Sequence, residues 1–273
     1  VELSVNGHNT FVYTGGKPFG VGVPTVVFIH GAQQDHSCWL LQSRWFAHHG
    51  YGVLAPDLPG HGRSAGAPLT SVEALADWII ALLDDLGVQQ AGLIGHSMGS
   101  MIALDAASRY AQRVTAIALI ATAVPMPVSP ALLGAAKDDE PRAMNMVNVW
   151  SHSPHGHVGL CAVPGIWMYT ANLRLMERQK PGVMHIDLAA CNAYARGSDA
   201  TAQVRCPTLV LAGAKDQMTS PKVARGLAGS IQGAKLVMLE GAGHAMMTEQ
   251  PDAVLDTLRD FFAANRSSQA TNP

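Results

Sequence analysis

The stretch Gly92-Leu93-Ile94-Gly95-His96-Ser97-Met98-Gly99 constrains this chain more than any other. An apolar run that reads as a strand enters a Gly-x-Ser-x-Gly turn, and the helical pattern of 100–110 follows without a spacer. So sharp a turn forces its central residue into strained backbone angles and leaves little room for flanking side chains; glycines at 95 and 99 let strand and helix approach closely. Ser97 is thereby pushed into the open at the carboxyl edge of a sheet, above the free N–H groups that begin the next helix. It is a candidate nucleophile.

The same alternation continues on both sides. Short apolar runs at 25–29, 51–55, 91–94 and 114–120 alternate with helical patterns at 37–48 and 71–86, the second opened by Ser71 as N-cap and closed by Gly87. Continuous apolar runs suit parallel strands covered on both faces. Strands at 207–212 and 235–239 and Pro-led helices at 221–229 and 251–265 resume the pattern, while Asn6-Gly7 between two β-rich segments predicts an opening hairpin. The chain therefore reads as α/β, with a mostly parallel, doubly wound sheet of about eight strands. Between 123 and 203 the alternation stops: Pro125, Pro127, Pro130, Pro154 and Pro164 punctuate helical segments rich in Met and Trp. We expect a core of 1–122 and 204–266, an inserted helical cap (lid) over 123–203, and a flexible tail at 267–273.

Composition narrows the function. Only 14% of residues are charged and the formal net charge is −2, with no dense Lys/Arg run, so nucleic acid is an unsuitable partner. No apolar stretch reaches the roughly 18 residues that span a bilayer. The N-terminus carries no basic segment leading into an apolar one, and Cys38, Cys161, Cys191 and Cys206 are too scattered for a metal or redox pair, so we expect reduced thiols and a cytoplasmic location. His152, His155 and His157 are the one His-rich tract, but Ser-Pro and Gly interrupt it and no Cys or carboxylate lies nearby to complete a zinc site. No dinucleotide fingerprint or P-loop is present, so we expect neither metal nor cofactor.

Four motifs in order resemble the α/β-hydrolase family over nearly the whole chain: Phe28-Ile29-His30-Gly31-Ala32, Asp57-Leu58-Pro59-Gly60-His61-Gly62-Arg63-Ser64, the Gly95–Gly99 elbow, and Gly241-Ala242-Gly243-His244. The branch resembled is that of serine esterases, enol-lactonases and C–C hydrolases. The resemblance implies the α/β-hydrolase fold and a Ser97, Asp216, His244 triad, with Asp216 just past the 207–212 strand; the alternative acid position reads Ala121-Thr122-Ala123 and holds no carboxylate. It implies oxyanion-hole N–H groups at Ala32 and Met98, and makes His30 and His96 structural supports.

A Ser rather than an Asp at the elbow argues against the dehalogenase and epoxide-hydrolase branches and for attack on an acyl carbon. In the cap, Met126, Met144, Met146, Trp150, Trp167, Met168, Tyr169 and Met176 make an adaptable apolar set, and we expect Trp150, Trp167, Met126 and Met146 to touch substrate. Arg142 and Arg174 are candidates to bind a substrate carboxylate. The leading expectation is a carboxylic-ester hydrolase that cleaves a small or medium, largely apolar ester or lactone through an acyl-enzyme. C–C bond hydrolysis of a vinylogous diketone and a non-catalytic ligand receptor are the alternatives, and a perhydrolase would share the same nucleophile. In each case the partner is a small molecule.

Overall fold

The computed structural model describes residues 1–158 and 167–266. The predicted tail at 267–273, Cys161 and Pro164 lie outside the described residues. Strands β1 (Glu2–Val5) and β2 (His8–Tyr13) form the predicted hairpin, with Val5 opposite His8 and both turn residues, Asn6 and Gly7, at positive φ. That is the two-residue turn whose twist matches the strands. The remaining strands are β3 (Thr25–Ile29), β4 (Gly52–Pro56), β5 (Ala91–His96), β6 (Val114–Ile120), β7 (Thr208–Gly213) and β8 (Lys235–Leu239). They complete one eight-stranded sheet in the order β1-β2-β4-β3-β5-β6-β7-β8, parallel from β4 to β8 and antiparallel at the β1–β2–β4 end.

Helices cover both faces. Helix α1 (Leu40–His48) is preceded by a 3-10 turn, His36–Trp39, that divides the helical pattern read at 37–48; Asp35 caps that turn by accepting the Ser37 N–H. Helix α2 (Val72–Asp85) starts at Ser71, whose hydroxyl accepts the Ala74 N–H, and ends before Gly87 at φ +68°. Helix α3 (Met98–Arg109) follows β5. Between β6 and β7 run α4 (Pro130–Asp138), α5 (Glu140–Ser151), α6 (Pro154–His157), α7 (Met168–Glu177), α8 (Val183–Ala193) and α9 (Gly197–Gln203). Helices α10 (Pro221–Ser230), α11 (Met246–Glu249) and α12 (Pro251–Arg266) complete the chain.

Alternate strand residues feed opposite cores. Val27, Ile29, Leu93, Ile117 and Val210 pack with α2 and α3 on one face, and Val26, Phe28, Ile94, Ile120 and Leu211 pack with Trp39, Phe46 and α12 on the other. This two-sided burial is why the strands read as unbroken apolar runs. The segment between β6 and β7 divides in packing. Leu132, Ala136, Met144, Met176, Met184 and Leu188 make a cluster of their own, whereas Cys191, Tyr194, Ala200 and Val204 join the core beneath the sheet.

The tightest contact is at the carboxyl edge. A Cβ on Gly95 would overlap the Gly99 carbonyl, and one on Gly99 would overlap the Ile29 carbonyl and lie 2.7 Å from that of His30. Backbone carbonyls cannot rotate away as a side chain can, so Gly99→Ala is expected to cost about 3 kcal/mol or more, read as a lower urea midpoint with unchanged slope.

Candidate active site

Ser97 alone makes the turn between β5 and α3, at φ +53° and ψ −116°. Such an angle pair costs a residue with a Cβ on the order of 1–3 kcal/mol. Hydrogen bonds hold it: the Ser97 N–H donates to the Ile120 carbonyl at 2.9 Å, and the Ser97 carbonyl accepts from the N–H and hydroxyl of Ser100 at 2.9 and 2.5 Å. Met98, next in sequence, is the first residue of α3, where a backbone N–H has no partner within its helix.

His244 follows β8 on a loop fastened from three directions. The Gly243 N–H donates to Glu249 Oε2 at 2.5 Å, the Ala245 N–H to the Ser151 carbonyl at 2.8 Å, and His96 Nε2 to the His244 carbonyl at 3.0 Å. Its Nδ1 lies 2.9 Å from Asp216 Oδ2. That contact places the ring proton on Nδ1 and leaves Nε2 basic. Asp216 is itself saturated with donors: the Met218 and Thr219 N–H groups reach Oδ1 at 2.8 Å each, and the Thr219 hydroxyl reaches Oδ2 at 2.7 Å. Burial pushes this carboxyl up, but the His244 ring and these donors outweigh it and hold its pKa below the usual value.

His96 and His30, buried beneath the site, are kept neutral. Burial foremost, and a neighbouring imidazole, lower their pKa values to about 3 and about 4. His30 Nε2 accepts the Leu58 N–H at 3.1 Å, tying the loop after β4 to the loop after β3. In that second loop the Gly31 N–H donates to Gln34 Oε1 at 3.3 Å and the Gln33 N–H to Asp187 Oδ2 at 2.8 Å. Between them, the N–H of Ala32 has no acceptor among the described residues.

Ala32, Ser97, Thr219 and His244 share one cavity of about 440 Å³ with Met126, Leu132, Trp150, Met176, Met184 and Leu188. Its further polar lining is Gln34, His96, Ser129, Ser151, Asn172, Cys191 and Gln217; among the described residues, no Lys, Arg, Asp or Glu lines it. Of the four residues expected to touch substrate, Met126 and Trp150 line this cavity; Met146 packs against the cluster of Leu132, Met144, Met176 and Leu188, and Trp167 is 55% exposed, stacked on Tyr169. Arg142 is exposed and Arg174 pairs with Glu177, and neither reaches the cavity.

His152 Nδ1 faces the Asn148 carbonyl while its Nε2 is buried with no partner among the described residues, His157 Nε2 faces the carbonyls of Val149 and His152, and His155 is exposed. Asp35, His36 and Asp57 do bring ligand-type atoms within 4.8 Å of one another. Those atoms are engaged, by the His36–Asp57 contact at 2.7 Å, by the Arg63 N–H on Asp57 and by Arg178 on Asp35, so the cluster braces the loop after β4.

Sequence reading missed three groups. Thr219 lies three residues past Asp216, a spacing that does signal a side-chain-capped turn. Gln34 and Asn172, whose side chains meet at 3.4 Å, come from distant segments and carry no local signal. Nor do His61 and Asp187, buried and 2.8 Å apart.

The fold places Ser97, His244 and the N–H of Ala32 together at the carboxyl edge of one sheet. The sequence pattern of the alpha/beta hydrolase family matches residues 26–257, and the chain belongs to that family. It is similar to the crystal structure of the enol-lactonase from Burkholderia xenovorans LB400, with TM-score 0.85 and 25% identity over 96% of this chain and 100% of that one. It is 28% identical, over 77% of its length, to a pimeloyl-[acyl-carrier protein] methyl ester esterase of Neisseria meningitidis, 82% of which is covered. A 40% identical match to the dihydrolipoyllysine-residue acetyltransferase component of the acetoin cleaving system of Pseudomonas putida spans 38% of this chain and 28% of that protein. The chain thus spans about a quarter of that relative. No helix among the described residues is long and apolar enough to cross a membrane.

The buried His61 generates a pH prediction. Burial opposes its charge, but the Asp187 carboxylate and the Pro59 carbonyl outweigh burial and raise its pKa. A raised folded-state pKa contributes stability that is fully present below the unfolded value of about 6.5 and lost as pH rises through the folded one. Urea unfolding from pH 5.5 to 9.5 should therefore show the wild-type advantage over His61→Gln shrinking as pH rises.

Proposed function

We propose that this protein is a serine hydrolase that cleaves an uncharged, largely apolar carboxylic ester or lactone through an acyl-enzyme on Ser97. The observation that carries the reading is the cavity: Ser97, His244 and Ala32, whose N–H has no acceptor among the described residues, line one space with apolar walls and no fixed charge among its described lining residues. A volume of about 440 Å³ falls within the roughly 300–1,000 Å³ of small-molecule sites.

In this reading His244 Nε2 takes the hydroxyl proton of Ser97 as its oxygen attacks the carbonyl carbon. The oxyanion that forms is held by the N–H groups of Ala32 and Met98, whose direction the fold sets before substrate arrives. The imidazolium made in that step is stabilised by Asp216, which Thr219 and two backbone N–H groups keep ionised. His244 then returns the proton to the leaving alkoxide. Water, deprotonated by the same nitrogen, cleaves the acyl-enzyme.

Met126 and Trp150, which line the cavity, would hold the apolar part of the substrate. The vinylogous diketone reading has less support, because the two arginines suited to an acid group lie away from the cavity.

The test is intact mass after a small fluorophosphonate, with p-nitrophenyl butyrate turnover in parallel. Wild type should gain one adduct. Ser97→Ala should gain none and lose turnover about 10⁴-fold or more, and Asp216→Asn should lose about 10³–10⁴-fold in kcat. An unlabelled wild type without turnover would sink the reading in favour of a ligand receptor. Trp150→Ala should raise KM for the butyrate ester about tenfold, whereas Trp167→Ala should leave it unchanged.

A further inference from the structure

We propose that Asp187, on α8 of the insertion, is a positioning residue for the oxyanion hole: its Oδ2 holds the Gln33 N–H and the His61 ring together and so aims the N–H of Ala32 into the cavity. This rests on the acyl-enzyme reading above. One oxygen serves two donors, Gln33 N at 2.8 Å and His61 Nε2 at 2.8 Å. The other ring nitrogen of His61 lies 3.0 Å from the Pro59 carbonyl, which can only accept. Both ring nitrogens thus face acceptors, and the ring that satisfies both is an imidazolium opposite a carboxylate. Among the described residues, the charged or titratable groups that act on the pair are Asp57, His30 and Cys191. His30 is neutral, burial keeps the Cys191 thiol protonated, and Asp57 is committed to His36 and the Arg63 N–H.

Three chain segments meet at this oxygen: the loop after β3, the loop after β4, and α8. Asp187, His61 and Gln33 are at most 1% exposed, so no solvent competes for the bonds. Gln33 follows Ala32 directly, stands at φ +56°, and sends its side-chain amide to the Met176 carbonyl at 3.1 Å. The His30–Gly31 peptide is fixed by Gln34, the Gly31–Ala32 peptide by His30 Nδ1 on the Gly31 carbonyl at 2.9 Å, and the Ala32–Gln33 peptide by Asp187, which leaves the Ala32 N–H little freedom. Two buried acceptors, Asp187 Oδ1 and Gln33 Oε1, have no partner among the described residues. Leaving such groups unsatisfied is costly, and local rules are broken in this way chiefly at functional sites.

The chemistry singles out its own test. In Asp187→Asn, an amide oxygen at this position can take the Gln33 N–H but leaves a buried imidazolium without its counter-charge, and an amide nitrogen can serve His61 but repels the Gln33 N–H. In Asp187→Asn/His61→Gln, one amide oxygen can accept both the Gln33 N–H and a Gln side-chain N–H. With p-nitrophenyl butyrate, Asp187→Asn is expected to lose about 10- to 100-fold in kcat with KM within about twofold. Its affinity for an aryl boronic acid, which mimics the tetrahedral adduct on Ser97, should fall in parallel. The double variant should return to within about fivefold of wild type, a rescue that mere packing would not produce.

A folded Asp187→Asn with wild-type kcat, or a double variant no better than the single, overturns the proposal. Wild-type protein gives a measurement independent of the variants: nitrogen-15 histidine spectra followed from pH 5.5 to 9.5 should contain a ring that keeps both nitrogens protonated to higher pH than a free imidazole, and spectra without one overturn it as well. A wild type without ester turnover, or a Ser97→Ala that keeps it, fails the acyl-enzyme reading instead.

Discussion

Where β5 hands over to α3, two stretches of backbone touch with no side chain between them, Gly95 against Gly99 and Gly99 against the carbonyls of Ile29 and His30. Everything at the carboxyl edge of the sheet takes its position from that contact. It lets α3 start one residue after the strand ends, and so holds Ser97 at a positive φ while placing the first N–H groups of α3 behind it. It also draws the loop after β3, with Ala32, against the elbow. A similar approach recurs between β7 and the His244 loop, where a Cβ on Gly213 would overlap the carbonyl of Gly243. Close approach of backbone to backbone is rigid, because neither partner has a rotamer to change.

Around this frame the protein uses buried charge sparingly and for position. His96 and His30 sit beneath the cavity as neutral rings that link loops through single hydrogen bonds. Two buried carboxylates, Asp216 and Asp187, each face an imidazole at under 3 Å and each accept backbone N–H groups as well. An unpaired buried charge is costly, and a pair offsets its desolvation only when its geometry is well satisfied. Each carboxylate therefore specifies one arrangement of the loops it bridges: Asp216 joins the loop after β7 to the loop after β8, and Asp187 joins the insertion to the loops after β3 and β4. The helices between β6 and β7 are thus tied to the loops after β3 and β4 by buried hydrogen bonds as well as by apolar packing.

Much of this was legible in the chain. Parallel strands covered on both faces must read as continuous apolar runs, and the hairpin, the N-cap at Ser71 and the Pro-led helices are local signals that the structure reproduces. The elbow declares itself because only glycine tolerates such contacts, and the resemblance pointed to Asp216 and His244, which the structure sets 2.9 Å apart. The insertion was far less legible. Its Met and Trp residues share one composition but not one location: Met126 and Trp150 line the cavity, Met146 packs between helices and Trp167 faces solvent.

The sequence by itself determined the order of strands and helices, the turn on which Ser97 stands and the kinds of group able to act there. These follow from short-range constraints of period, glycine sterics and capping, which a few neighbouring residues express in full. The tertiary structure alone decided which side of each inserted helix meets the cavity, that Gln34 meets Asn172, and that Asp187 reaches across 154 positions to Gln33 and 126 to His61. Those pairings depend on how helices pack against loops remote in the chain, and no local period or turn chemistry encodes which buried carboxylate will face which buried imidazole.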